Sequence, residues 1–429
     1  MQPATAETVL GNFDNARLTQ FGVTTSFYKK DGKYMVNTEG PDGKLQDYEI
    51  KYAFGVQPLQ QYLIEFPGGR MQALSLAWDT RPQAQGGQRW FHLYPDEKIT
   101  HDDELHWTQP SQNWNSMCAE CHSTHVEKNY DPVSRTFSTS WSEIDVSCEA
   151  CHGPGSEHVA WAEHAPGWEK LSGKGLVISL DERKDVHWTI NPESGTAERS
   201  KVRDSDKEIE MCARCHARRS PISHDYVHGE ALLDHYLPRR LDEGMYFADG
   251  QIDDEVYVYG SFIQSRMYHA GVTCSDCHEP HSVALRLPGN GVCLQCHQAD
   301  RYDQSSHHFH QPGSPGASCA ECHMPPRTYM VVDPRHDHSM RIPRPDLSLK
   351  LGTPNACNNC HQDKDSKWAA AQLNTWYGDT PTGFQTYAET LYGAWHEQAG
   401  SGNTLAALIR DSDTPAIARA TAFEQIGPH

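Results

Sequence analysis

The sequence lacks both a long apolar run and a block of basic residues. None of its 429 residues belongs to an apolar stretch near the roughly 18 to 20 residues of a membrane span. The net charge is -20 with His neutral, which disfavours nucleic acid and anionic lipid as partners. The opening MQPATAETVLGNFDN has neither the basic start nor the apolar centre of a signal peptide. These absences predict a chain without a membrane span.

The content of apolar residues is also modest. Hydrophobic residues make up 37% of the chain, and the mean hydropathy is -0.71. The length is nevertheless sufficient for about three domains and a substantial core. The 26 His and 14 Cys indicate metal-ligand chemistry rather than disorder. Something other than aliphatic side chains is therefore expected to fill part of the interior.

All fourteen cysteines occur in one repeated pattern, CxxC followed directly by His. The seven pentads are CAECH at 118, CEACH at 148, CARCH at 212, CSDCH at 274, CLQCH at 293, CAECH at 319 and CNNCH at 357. Their starts are separated by 30, 64, 62, 19, 26 and 38 residues. The last four pentads are joined by short segments, so we expect them to lie near one another.

Three alternatives explain this pattern less well than covalent haem attachment. Disulfide pairing requires neither the fixed spacing nor the His. Four-cysteine zinc sites need an even number of CxxC pairs, and the seven His would then have no role. A thioredoxin-like CxxC occurs once per domain, before a helix. Attachment of c-type haem uses both thiols and the His.

Haem attachment also has a geometric reason. Two thiols three residues apart reach the two vinyl groups on one porphyrin edge, and the adjacent imidazole binds the iron. The sequence therefore predicts seven covalent haem c groups. The cysteines that would bind them are Cys118, Cys121, Cys148, Cys151, Cys212, Cys215, Cys274, Cys277, Cys293, Cys296, Cys319, Cys322, Cys357 and Cys360. The proximal ligands would be His122, His152, His216, His278, His297, His323 and His361.

A second axial ligand keeps the iron of an electron carrier low-spin. Nineteen further His remain once the proximal set is removed. The distal candidates are His106, His158, His235, His281, His307, His310 and His338, with His308 and His336 as local rivals and His125, His187, His228 and His269 in reserve. His281 follows the stiff Pro280 and is expected to face a neighbouring iron rather than its own. Met324 is interpreted as core packing.

The N-terminus leaves two possible locations open, a cytosolic protein or one whose signal peptide was removed. Bacteria attach haem to CxxCH outside the cytoplasm, which favours the second. We therefore predict a periplasmic or extracellular protein, with its signal peptide removed from the displayed chain.

The pattern outside the pentads predicts an α+β fold with little regular secondary structure, in three domains. Residues 1–105 have Asp31-Gly32 and Asp42-Gly43 between β-formers and two further strands, QYLIEF and ALSLAW, around Gly68-Gly69, which predicts an antiparallel β-domain without cofactor. Residues 106–363 form a loop-rich heptahaem domain. Residues 364–429 show helical periodicity and predict helical hairpins of a repeat-like tail, expected to be a shortened or processed array.

Several segments are more specific than CxxCH itself. They include NWNSMCAECHST, VSCEACHGPGSEHV, DGQIDDEVYVYGSF, AGVTCSDCHEPHS, HHFH, CAECHMP, DHSMRIPRPDLS and LGTPNACNNCH. Over residues 105–365 the chain resembles bacterial multihaem cytochromes c that carry a tetratricopeptide or HEAT-type helical tail, distantly related to the hydroxylamine oxidoreductase and pentahaem nitrite reductase class. The resemblance implies covalent haem c and mostly bis-His ligation, with His106, His158, His281, His310 and His338 in the resembling segments. Those nitrite reductases use a CxxCK site, whereas all seven pentads here end in His.

Three functions compete on this evidence. The favoured one is an electron conduit with redox protein partners and some self-association, possible as a filament, and no substrate chemistry of its own. The alternative is an oxidoreductase in which one open iron acts on a small nitrogen or sulfur compound, with Tyr226 and Tyr257 as candidate neighbours. The third is a scaffold whose β-domain and helices bind partner proteins, with haems that only conduct electrons. The excess of His over iron sites favours the conduit.

Overall fold

A computed structural model describes residues 1–379 and 381–427 of the chain. The polypeptide divides into two compact units. The first contains Met1–Val177 and Thr328–Pro334, and the second contains Ile178–Arg327 and the chain from Arg335 onward. The predicted boundaries at 105/106 and 363/364 follow sequence pattern and remain a prediction. The first two pentads belong to the same compact unit as the N-terminal strands.

A nine-stranded antiparallel sheet dominates the first unit, in the order β2-β3-β4-β5-β6-β8-β9, with β1 paired to β5 and β7 to β6. Its strands are β1 (Gln2–Pro3), β2 (Ala16–Gln20), β3 (Val23–Lys30), β4 (Lys33–Glu39), β5 (Leu45–Phe54), β6 (Leu59–Phe66), β7 (Arg70–Ala73), β8 (Leu76–Asp79) and β9 (Arg89–His92). The predicted N-terminal antiparallel sheet is confirmed.

The turns form where the sequence predicts them. Lys30 pairs with Lys33, so Asp31 and Gly32 make a two-residue hairpin loop. Both loop residues have positive φ, 51° and 76°, as a type I′ turn requires. The prediction of one continuous strand over ALSLAW is wrong. The segment contains the end of β7 and most of β8, with a break between them.

One face of the sheet has an aromatic core. Phe27 stacks on Trp90 with ring centroids 3.6 Å apart, and Phe13 meets both rings edge-on. Tyr62 is fully buried beside them and donates its hydroxyl to Gln60. Aromatic pairs of this kind add directional stability to the area they bury. The first unit therefore has a conventional protein core.

Short elements complete the first unit. They are α1 (Trp114–Met117), α2 (Ala119–His122), α3 (Cys148–His152), α4 (Ser156–Ala162), β10 (Tyr130–Asp131) and β11 (Thr136–Phe137), with 3-10 turns at Pro67–Gly69, Gln83–Gln85, Pro110–Gln112, Trp168–Lys170 and Ser172–Gly175. Trp114 of α1 and Ala119 of α2 pack on Leu63 and Met71 of the sheet. The sheet thus supports the first pentad directly.

The second unit begins with short strands and helices joined by loops. Its strands are β12 (Trp188–Ile190), β13 (Ala197–Arg199), β14 (Arg219–Pro221), β15 (Tyr236–Pro238), β16 (His278–Glu279) and β17 (Ala284–Leu285). A further hairpin joins β18 (Pro326–Tyr329) to β19 (Asp333–His336), and its residues Thr328–Pro334 belong to the first unit. Its helices are α5 (Lys207–His216), α6 (Leu232–His235), α7 (Tyr259–Phe262), α8 (Arg266–His269), α9 (Cys274–Cys277), α10 (Gly291–Leu294), α11 (Ala299–Tyr302), α12 (Ser305–His308), α13 (Cys319–His323), α14 (Pro345–Leu351) and α15 (Ala356–Cys360), with a 3-10 turn at Pro315–Ala317.

Longer helices end the chain: α16 (Ser366–Tyr377), α17 (Ala388–Trp395), α18 (Ser401–Arg410) and α19 (Ala416–Gln425). The side chain of Asp365 accepts a hydrogen bond from the Trp368 amide and caps α16. Leu391, Leu405 and Ala418 are buried between the helices and the rest of the unit. The predicted helical tail is confirmed, although Thr380, Pro428 and His429 lie outside the described residues.

These elements confirm the predicted α+β class with a helical C-terminal part. Within the described residues, no helix is both long enough and apolar enough to cross a membrane.

Candidate haem sites

Every CxxCH pentad overlaps a short helix. One helical turn places the two cysteines on the same side, and the next residue is the His. The amide of His297 donates to the carbonyl of Cys293 at 3.0 Å, and His361 repeats this bond to Cys357 at 2.9 Å. All fourteen cysteines carry a thiol rather than a disulfide. The backbone thus presents two reactive sulfurs and one imidazole at each pentad, which is the donor set that haem c requires.

Three proximal imidazoles in the second unit face another imidazole across a gap. The ring centroids are 6.4 Å apart for His278 and His338, 6.1 Å for His323 and His307, and 6.2 Å for His361 and His310. An imidazole nitrogen binds a metal at about 2 Å and lies about 1 Å from its ring centre, so two imidazoles on one iron have centroids about 6 Å apart. Each gap therefore has the width of a bis-His iron site.

The tautomers of these rings suit ligation. Nδ1 of His338 donates to the carbonyl of His336 at 2.9 Å, and Nδ1 of His323 donates to that of Arg341 at 2.7 Å. Nδ1 of His310 makes a short bond to the carbonyl of His308. A ligating His commonly donates its other ring N–H in this way, which fixes the ring and leaves Nε2 for the metal. The residues present therefore fit a haem iron.

Burial keeps several of these imidazoles neutral. It lowers the pKa of His278 and His323, and it is also the main cause of the lowered pKa of His307 and His338. The neutral ring is the form that binds a metal. Burial likewise lowers the pKa of the proximal His216 and His297, each with a further contribution from a neighbouring imidazole.

Thiols of successive pentads lie side by side. Cys212 is in hydrogen-bonding contact with Cys274, and Cys293 with Cys319. These contacts join the third pentad to the fourth and the fifth to the sixth. The sulfurs become thioethers when haem is attached, so for the holoprotein these contacts report proximity alone.

Thiols of the other successive pentads also influence one another's pKa. Burial, then the Asp276 carboxylate and the Cys296 thiol, raise the pKa of Cys277 to about 11. Burial and the thiols of Cys357 and Cys360 raise that of Cys322 to about 11. Together these four neighbour relations link the third to seventh pentads in chain order.

The first two pentads are tied together in the first unit. The Ser147 amide, just before Cys148, donates to the Thr124 hydroxyl at 2.9 Å. The same hydroxyl donates to the carbonyl of Asp145 at 2.8 Å. The proximal His122 lies edge-on to Phe54 of the sheet, with ring centroids 5.8 Å apart. These bonds hold the start of the second pentad beside the end of the first.

The other four distal candidates have different surroundings. His106 is buried in the first unit, where its Nδ1 lies 2.8 Å from the Thr108 hydroxyl, and burial, with His101 and His92 nearby, lowers its pKa to about 4. Nδ1 of His158 meets the carbonyl of Lys174 at 2.8 Å. Nε2 of His235 lies 2.8 Å from Glu230, and His281 lies on an exposed hairpin, 3.3 Å from Glu279. Their ligand roles stay predictions.

Sequence reasoning missed the residues that position the ligands. A Cβ at Gly316 would lie 2.2 Å from Cδ2 of His310, so a glycine is needed for that ring to occupy its place. Arg341 contributes the carbonyl that holds His323. The HHFH run indicated His307 and His310 as candidate ligands, but no local pattern indicates a carbonyl eighteen residues away or a glycine six residues away.

Comparisons with known proteins agree with this chemistry. The family model for cytochrome c554 and c-prime matches residues 77–153, which contain the first two pentads. A model of the doubled CXXCH motif matches residues 268–302, which contain the fourth and fifth. The crystal structure of the outer cell wall cytochrome OcwA is similar at 18% identity, with 88% of each chain covered and a TM-score of 0.49. No curated protein matches the chain. The pentads and these two family matches together make the chain a multihaem cytochrome c with covalent haem.

Proposed function

We propose that the chain is an extracytoplasmic heptahaem cytochrome c that conducts electrons along a row of closely spaced, mostly bis-His haems. The observation that carries this proposal is the set of three facing imidazole pairs at the fourth, sixth and seventh pentads. Haem c supplies one-electron chemistry when bound. The polypeptide's part is to fix the spacing and the axial ligands.

Three ligand pairs follow from the imidazole geometry. His338 would complete the fourth site, His307 the sixth and His310 the seventh. Two strong ligands keep an iron six-coordinate in both oxidation states, so little structure has to move when the charge changes. That property suits a conduit. It also leaves no open position for a substrate at these three sites.

The remaining four sites rest on sequence. Their proximal ligands are His122, His152, His216 and His297, and His106, His158, His235 and His281 remain the proposed distal set. Nδ1 of His158 is already held by a backbone carbonyl, as in the paired sites. His281 is exposed in the isolated chain, which supports a role towards a neighbouring iron rather than its own.

The decisive experiment is electron paramagnetic resonance of the oxidised holoprotein, with haem counted by pyridine haemochrome. Seven haems with only low-spin signals are expected. Fewer than seven haems would overturn the count. A high-spin component equal to one haem in seven would instead support the oxidoreductase alternative, and nitrite, hydroxylamine and sulfite should then be screened.

Partners and location complete the proposal. A net charge of -20 favours basic docking partners for electron exchange. Haem attachment to CxxCH outside the bacterial cytoplasm supports a periplasmic or extracellular site. We also propose self-association, which light scattering of the holoprotein at physiological salt tests; a strict monomer would exclude a filament. A distant relation to the hydroxylamine oxidoreductase class rests on the sequence motifs.

A further inference from the structure

One six-residue segment, His336–Arg341, serves two of the proposed iron sites. His338 within it faces His278 of the fourth pentad at 6.4 Å. Three residues later, the backbone of Arg341 holds His323 of the sixth pentad twice. Its carbonyl accepts from Nδ1 of His323 at 2.7 Å, and its amide donates to the carbonyl of the same residue at 3.0 Å. Any shift of this segment would therefore move ligands of two irons together.

The Arg341 side chain anchors the segment in the interior. Arg341 is 5% exposed and Asp249 is 1% exposed. The guanidinium donates through Nη1 to the carbonyl of Asp249 at 2.9 Å and lies 3.3 Å from its carboxylate. Nε donates to the hydroxyl of Ser339 at 2.9 Å, within the segment itself. The arginine thus links Ser339 and Arg341, at the C-terminal end of the segment, to one buried acid.

The same acid reaches a third pentad. The carboxylate of Asp249 accepts from the side-chain amide of Gln251 at 2.8 Å. That amide also donates to the carbonyl of Pro354 at 2.7 Å, three residues before Cys357 of the seventh pentad. A single buried polar network therefore contacts segments of the fourth, sixth and seventh sites.

A buried ion pair is a poor means of stabilising a fold. Desolvation of the two charges offsets much of their attraction, and apolar side chains of similar size often serve stability equally well. The planar guanidinium instead fixes direction, because its donors form a rigid fork. The axial ligands need a fixed ring orientation, and that orientation depends on the hydrogen-bond partner of Nδ1.

We propose that Asp249 and Arg341 form a positioning pair that holds axial ligands of the fourth and sixth haems at once through the segment His336–Arg341. The inference rests on the ligand pairs proposed above. The g-values of a low-spin iron report the orientation of its two imidazoles, so they provide a readout that is independent of electron-transfer activity.

The test compares Arg341→Met and Asp249→Asn in the holoprotein. Two reference variants, His338→Ala and His307→Ala, first assign the signals of the fourth and sixth haems, each by conversion of one haem in seven to high spin. Arg341→Met is then expected to shift or broaden both assigned signals while seven haems remain bound. Arg341→Lys keeps the charge but not the fork, and should restore the signals only in part.

Lys350→Met is the matched control, because Lys350 pairs with Glu389 on an exposed surface and should leave every signal unchanged. If Arg341→Met yields no holoprotein, Asp249→Asn decides, since it removes one charge and keeps an acceptor. A shift of only one assigned signal, or of neither, overturns the positioning pair. If His338→Ala and His307→Ala create no high-spin haem, the ligand pairs themselves fail, which is a separate outcome.

Discussion

The two compact units differ in what fills their interiors. The first has a nine-stranded sheet whose aromatic core, around Phe27 and Trp90, resembles that of an ordinary β-domain. The second carries five of the seven pentads on short helices, and the six paired imidazoles there are all only half-buried in the polypeptide alone. The first unit thus carries its haem motifs on a sheet that has a hydrophobic core of its own. The second unit is expected to use the haems as part of its core.

Removal of the haems should give the largest contrast between the units. In the full chain produced without haem attachment, we expect the amides of β3 and β4 to keep strong protection from hydrogen exchange. Amides of α13 and α15 should exchange within about tenfold of the unstructured rate, because α13 buries no residue in the polypeptide and α15 buries only Ala356. Hydrogen exchange with mass spectrometry measures both regions in one sample. Equal protection in α13 and β3 would break the comparison.

Trp90→Ala tests the scaffold of the first unit. Trp90 is 6% exposed and stacks on Phe27, so its loss should cost about 3–5 kcal/mol of unfolding free energy in that unit. Urea denaturation followed by far-ultraviolet circular dichroism measures the cost. The control is Phe423→Ala, since Phe423 is 70% exposed and should change stability by less than about 0.5 kcal/mol. An equal loss in both variants would contradict this prediction.

Gly316→Ala tests one ligand site in the second unit. The new Cβ would lie 2.2 Å from the His310 ring, so the ring must leave its present position opposite His361. We expect one haem in seven to become high-spin or to change its g-values, with haem content unchanged. Gly402→Ala is the control, because a Cβ there meets no atom within 4 Å. An unaltered spectrum for Gly316→Ala would remove His310 from the seventh site.

Asp79→Asn should have the smallest effect and should be confined to the first unit. Burial opposes ionisation of Asp79, but the hydrogen bonds and charge of Arg81 outweigh it and hold the pKa of that carboxyl below its ordinary value of 3.8. The ionised form therefore contributes stability above about pH 4, which is lost as pH falls through the lowered value.

The wild-type protein should accordingly lose unfolding free energy in the first unit below about pH 4, and Asp79→Asn should lose less over the same range. At pH 7 we expect the substitution to cost about 1–3 kcal/mol, because an amide NH2 replaces one of the two buried oxygens that accept from Arg81 and leaves a buried donor unpaired. Denaturation curves at pH 7 and pH 3 make the comparison. A variant with the same pH dependence as wild type would assign the acid sensitivity to other carboxylates.

Local chemistry was predictable and long-range pairing was not. Asp31-Gly32 specifies its hairpin because both positions accept positive φ, and the periodic tail specifies its helices. ALSLAW looks like one strand because alternation continues through the break at Leu74-Ser75. The contact of Cys212 with Cys274 crosses 62 residues, and no periodicity encodes which loop meets which. The surplus of His over proximal ligands indicated that candidates for distal ligands were available. Which of these His faces which pentad depends on tertiary packing.

The paired thiols have a consequence for how the protein is made. In the folded chain, Cys212 and Cys274 lie close enough to share a hydrogen bond. An oxidant that joined them would form a disulfide between two different pentads. One such bond would remove an attachment point from two haems at the same time. We therefore expect assembly to require that these sulfurs stay reduced until each pentad has received its porphyrin.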